Sequence, residues 1–124
     1  MRYEPAPDVY ERIKFIVDTV GMKHIDVSRI HCIRSFDVNT NAIARIWSLP
    51  KVWRDMLGVE PQYIIEVVSK RFDRLPDDEK TKTLIHELLH IPKKFSGGLV
   101  SHNCFGKKIN NKTVGEIYKK YFEN

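Results

Sequence analysis

Cysteine is nearly absent from this chain. Only Cys32 and Cys104 occur in 124 residues, and neither belongs to a C-x-x-C pair, which argues against both a disulfide framework and a zinc ribbon. Both read as small packing thiols, including Cys104, although it lies two residues from His102. Long hydrophobic runs are missing as well: none approaches the roughly 20 residues that span a bilayer. The opening Met1-Arg2-Tyr3-Glu4-Pro5 carries no signal-peptide core, so a cytoplasmic protein with no membrane segment is expected. Internal repeats, low-complexity tracts and linkers are also lacking, and a single domain over residues 1–124 is expected. A concentrated basic tract is another absence. The net charge is +5 with 21 Lys and Arg, but the lysines pair up only at 93–94, 107–108 and 119–120, which describes a solvated basic surface and supports nucleic acid only weakly as a partner.

Against that plain background stands His86-Glu87-Leu88-Leu89-His90. A helix turns about 100° per residue, so the two imidazoles lie about 40° apart on one face and can reach a single cation. Glu87 falls beside them, placed for a base acting on water next to the metal rather than for a third ligand. The surrounding Leu84, Ile85, Leu88, Leu89 and Ile91 put this turn largely inside the protein. Two histidines and a carboxylate embedded there would lose several kcal/mol if left unpaired, and a metal site satisfies all three. The chemistry expected is zinc-dependent hydrolysis, in the first place of a peptide bond, with Zn2+ as cofactor.

A catalytic zinc takes three protein ligands and keeps one position open. His102 is the favoured third ligand, because Gly97-Gly98 allows the chain to turn back toward the motif helix and Ser101-His102-Asn103 is polar. Glu116 is the alternative, as ligand or as partner to an imidazole, and His31 a further one. His31 alternates with apolar neighbours and reads more simply as a packed histidine, and His24 as a surface residue.

Amphipathic spacing predicts a helix over 7–20, opened by Pro7-Asp8 and closed by Gly21. Residues 27–36 and 42–48 are rich in β-formers around a turn at 37–41 and read as a hairpin. A short helix over 50–57 follows, then a central strand at 63–68, the motif helix over about 76–91, stopped by Pro92, and a loop. A final helix is expected with Thr113 and Glu116 as its capping box and with Val114, Ile117, Tyr118 and Tyr121 as its apolar stripe. The fold class is α+β: a small, twisted, mainly antiparallel three-stranded sheet packed against the motif helix and its flanking helices.

Several segments together, Arg45-Ile46-Trp47-Ser48-Leu49-Pro50, Tyr63-Ile64-Ile65-Glu66-Val67, Arg71-Phe72-Asp73-Arg74-Leu75, Leu84 to Pro92, Phe95-Ser96-Gly97-Gly98 and His102, resemble the small metallopeptidases of archaea and phages. The likeness spans about residues 43–105. More distantly, the H-E-x-x-H helix and the step from His102 to Phe105 are similar to SprT-like and WLM-type peptidases, with Asn103 where those families commonly carry glycine. The resemblance implies a minimal zincin-like fold and a zinc-dependent hydrolase, with His86, His90 and His102 on the metal and Glu87 as general base.

In such a fold, strand 43–48 is an edge beside the cleft, to which a peptide or protein substrate adds as a further strand. Trp47 and Trp53 read more simply as core aromatics than as cleft residues. Tyr63, Arg45 and Tyr118 are candidate donors to an oxyanion, and loop 93–101 is expected to be a mobile cover. The alternative function is a zincin-fold binding or accessory module of low activity, working with protein or nucleoprotein partners.

Overall fold

The computed structural model describes residues 1–104 and 107–123. Its order is β1 (Arg2–Pro5), α1 (Pro7–Val20), a 3-10 turn (Val27–Arg29), β2 (Ile30–Phe36), β3 (Ala44–Ser48), α2 (Lys51–Leu57), β4 (Tyr63–Val68), α3 (Ser69–Phe72), α4 (Asp77–Leu89), β5 (Asn103–Cys104), β6 (Lys107–Lys108) and α5 (Asn111–Phe122). The fold is α+β, with a four-stranded mixed sheet in the order β1-β2-β4-β3 and a separate β5-β6 ladder.

The sheet corrects two expectations. The segments read as a hairpin, β2 and β3, do not touch: β4 inserts between them, parallel to β2 and antiparallel to β3. The sheet is also not three-stranded, because Arg2–Pro5 pairs antiparallel with Ile33–Phe36. The first difference has a physical cause. β4 is the most apolar strand, and the centre of the sheet is the position that best removes such a strand from water; of its residues only Ile64 remains exposed. That leaves β3 as an edge strand, as expected.

Helices α1 and α4 cover one face. In α1, Val9, Ile13 and Ile16 are buried at helical spacing, with Pro7 in the first turn and Gly21 (φ 78°) closing the helix through a bond to the Val17 carbonyl. In α4, Leu84, Ile85 and Leu88 are buried against Tyr63, Ile65 and Val67 of β4 and Ile30 of β2 in one core. Arg12 ties the two helices through Thr81 Oγ1 (3.0 Å) and Asp77 Oδ1 (2.7 Å). Arg34 on β2 does the same for α1 and α3, donating to Asp8 at 2.5 and 2.6 Å and to Asp73 at 2.8 Å.

The last helix starts earlier than expected. Asn110 caps it, its side chain accepting from the Thr113 amide while Thr113 Oγ1 accepts from the Asn110 amide, both at 3.0 Å. Thr113 is therefore the third helical residue of the capping box and not the cap, and Glu116 is exposed. The helix packs through Val114, Ile117, Tyr118 and Phe122, leaving Tyr121 outside. Among the described residues no helix is long and apolar enough to cross a membrane.

Candidate metal centre

The last turn of α4 carries His86, His90 caps its end, and the segment 92–101 leads the chain back over it. Two hydrogen bonds fix that return: the Val100 amide donates to the His90 carbonyl at 2.7 Å, and the His90 ring Nδ1 meets the Val100 carbonyl at 2.5 Å. A carbonyl only accepts, so Nδ1 carries the proton, the tautomer that leaves Nε2 as the ring's lone-pair nitrogen. His102 follows two residues after Val100.

The three rings converge through the same atom. His86 Nε2 lies 3.2 Å from His102 Nε2 and 3.4 Å from His90 Nε2, and one nitrogen from each ring falls within 4.8 Å of the others. Nitrogens each 2.0–2.1 Å from a tetrahedral zinc stand about 3.3–3.4 Å apart. The spacing therefore fits a common ion, and three imidazole nitrogens are the right donors for it. Burial lowers the pKa of His86, and the neighbouring His90 and His102 rings lower it further, so its lone pair stays available near neutrality. This group could hold a metal ion.

Glu87 is 8% exposed, and among the described residues no group donates a hydrogen bond to its carboxylate. Burial pushes its pKa up to about 7. It faces a cleft rather than the core. One cavity of about 450 Å³ is lined by His86, Glu87, His90, His102 and β3 residues 44–46. A second, of about 580 Å³, shares His86, Glu87 and Ala44 and continues past Glu79, Lys82 and Asn111. The cleft thus runs along the edge strand on both sides of the carboxylate.

The other candidates lie elsewhere. His31 is exposed on β2 and bonded to Gln62 (2.8 Å), so it is neither a packed histidine nor part of the group, and Glu116 does not join it. His24 is half buried, and burial together with Lys93 lowers its pKa. Tyr63 is fully buried with its hydroxyl engaged by Gly97 and Gly98, which removes it as an oxyanion donor. Arg45 is forked onto Glu66 at 3.0 and 3.1 Å. Tyr118 lines neither cavity and stacks on Phe122.

Both tryptophans depart from the core reading: Trp47 is 48% and Trp53 59% exposed. They sit on an edge strand and on a helix with no buried residue. Trp47 donates to Glu66 Oε1 at 2.8 Å, and burial of that carboxylate is outweighed by the Arg45 and Trp47 hydrogen bonds, which keep its pKa low. The Cys104 side chain and Phe105 lie outside the described residues.

Sequence reasoning missed Glu66 and the Val100 carbonyl. A carboxylate inside the run Tyr63-Ile64-Ile65-Glu66-Val67-Val68 was a usable signal for the first. A backbone carbonyl leaves no trace in residue type.

An α+β protein with a three-histidine group beside a buried carboxylate that has no hydrogen-bond donor among the described residues is built like a metal-dependent enzyme. The chain belongs to the family described as "Putative phage metallopeptidase", whose model matches residues 1–121. Membership suggests peptidase activity and implies a metal cofactor. No curated protein and no solved structure matches the chain.

Proposed function

We propose that this chain is a zinc-dependent peptidase with a minimal zincin-like fold, in which His86, His90 and His102 hold the ion and Glu87 is the general base. The observation that carries the reading is the convergence of three Nε2 atoms at 3.2 and 3.4 Å next to a buried carboxylate with no partner among the described residues. When bound, zinc supplies Lewis acidity, polarising a carbonyl and acidifying water near neutral pH.

The chain's own residues do the rest. The Glu87 carboxylate accepts the proton of the attacking water and then donates it to the leaving amide nitrogen, a double role that suits a group whose proton affinity burial has raised. Val100 holds the His90 ring in the tautomer that presents Nε2. The free edge of β3 offers backbone donors and acceptors to an extended peptide lying along the cleft.

The test is hydrolysis of an unfolded protein such as casein by zinc-loaded protein. Glu87→Gln is expected to keep the metal and lose activity by at least about a hundredfold, in line with general-base contributions of about 10²–10⁴. Activity retained in Glu87→Gln would overturn the role of Glu87.

A further inference from the structure

The loop 93–101 was expected to be a mobile cover. It is instead pinned to the sheet at one buried point. The Gly97 amide donates to the Tyr63 hydroxyl at 2.9 Å, and that hydroxyl donates to the Gly98 carbonyl at 2.9 Å. The Tyr63 ring meets Phe95 edge-on with centroids 5.0 Å apart, and Phe95 is buried in a left-handed conformation (φ 49°) that a bulky side chain keeps only when its surroundings hold it there. On the other side, Arg54 of α2 covers Gly97: a Cβ added there would fall 2.7 Å from the Arg54 guanidinium carbon, and Gly97 has φ +94°. No other residue type fits that position without strain.

Two residues beyond Gly98, Val100 holds both the carbonyl and the ring of His90, and two residues further the chain delivers His102. The geometry points to Tyr63 as a positioning residue for the metal centre: its hydroxyl sets the strap that orients His90 and carries His102 into place. This rests on the reading of the three histidines as metal ligands. Tyr63 touches none of the reacting groups. It acts through the strap, as the partners of metal-binding histidines do elsewhere, where their loss weakens metal affinity roughly 10–100-fold. Replacing the phenol by phenyl keeps the ring contact with Phe95 but leaves the Gly97 amide and Gly98 carbonyl without that partner.

The experiment measures zinc affinity by competition with a chromophoric chelator for the wild type, Tyr63→Phe, Gly97→Ala and a control, Val9→Ala, which opens the core under α1 away from the strap. Amide exchange at Val100 is followed in the metal-free proteins. Tyr63→Phe and Gly97→Ala are expected to weaken zinc binding roughly tenfold or more and to speed Val100 exchange about as much, while Val9→Ala changes affinity less than about twofold despite a lower melting temperature. Affinity in Tyr63→Phe equal to wild type, or a loss no larger than that of Val9→Ala, overturns the positioning role. A wild type that binds no zinc overturns the metal reading instead. In that case Val100 exchange still decides the strap: acceleration in Tyr63→Phe supports it, and unchanged exchange refutes it.

Discussion

The carboxylate of Glu87 and the ring of His90 are nearly equally buried, yet their hydrogen bonding differs completely. His90 is held by a backbone carbonyl, whereas Glu87 has no donor among the described residues, the condition in which a buried carboxyl rises to about 7. That contrast was legible in part: the H-E-x-x-H spacing names both residues, and the apolar residues around it foretell their burial. The Val100 bond that fixes the tautomer belongs to the backbone and has no sequence signature.

A second carboxylate cluster shows the opposite shift. The Arg34 hydrogen bond holds the Asp8 carboxyl at about 2, and Arg34 likewise keeps Asp73 low. Groups with depressed folded pKa values stabilise the protein above their unfolded values, near 4, and lose that contribution as the pH falls toward 2. Thermal melts from pH 5 to 2 are therefore expected to show a steeper loss for wild type than for Arg34→Met. Solvent screening keeps the effect modest, since Asp8 is largely exposed.

Among the elements, helices were easier to read than strand pairing. Helical periodicity is local: Val9, Ile13 and Ile16 declare α1 by their spacing, and Pro92 lies just beyond the end of the motif helix, which closes at Leu89 with His90 as its cap. Pairing is not local. Nothing in 27–48 says that β4 will separate β2 from β3, and the short, exposed β1 has no apolar alternation to announce it.

The start of α5 shows how a shift of three residues arises, because Asn110 and Thr113 are both good caps and the helix takes the earlier one. Asn110→Ala is expected to lower stability by about 1 kcal/mol, while Glu116→Ala stays within about 0.5 kcal/mol; denaturant unfolding distinguishes the two. The edge position of β3 was correctly anticipated, and the proposed function uses it as the edge beside His86 and Glu87 to which an extended peptide adds.

At the scale of the molecule, core and cleft lie on the helix-covered side of the sheet, and an exposed apolar surface occupies α2 and its surroundings. Val52, Trp53, Met56 and Leu57 are all exposed, Met56 by 80%, on a helix that buries nothing. The composition, ordinary for a globular chain, gave no hint of this, because an apolar residue counts the same inside and outside. Met56→Lys is accordingly expected to leave the unfolding midpoint within the small range typical of surface changes, about 0.5 kcal/mol, and to reduce self-association at high concentration as measured by light scattering.

The proposed centre rests on one arrangement, a motif helix pressed on the sheet and a strap returning His102 to it. Zinc content measured by mass spectrometry on purified wild type, His86→Ala, His90→Ala and His102→Ala tests it most directly. One zinc per wild-type chain, lost in each of the three variants while their folds persist by circular dichroism, is the expected result. Zinc that survives His102→Ala, or a wild type that takes up none after reconstitution, would contradict the three-histidine centre.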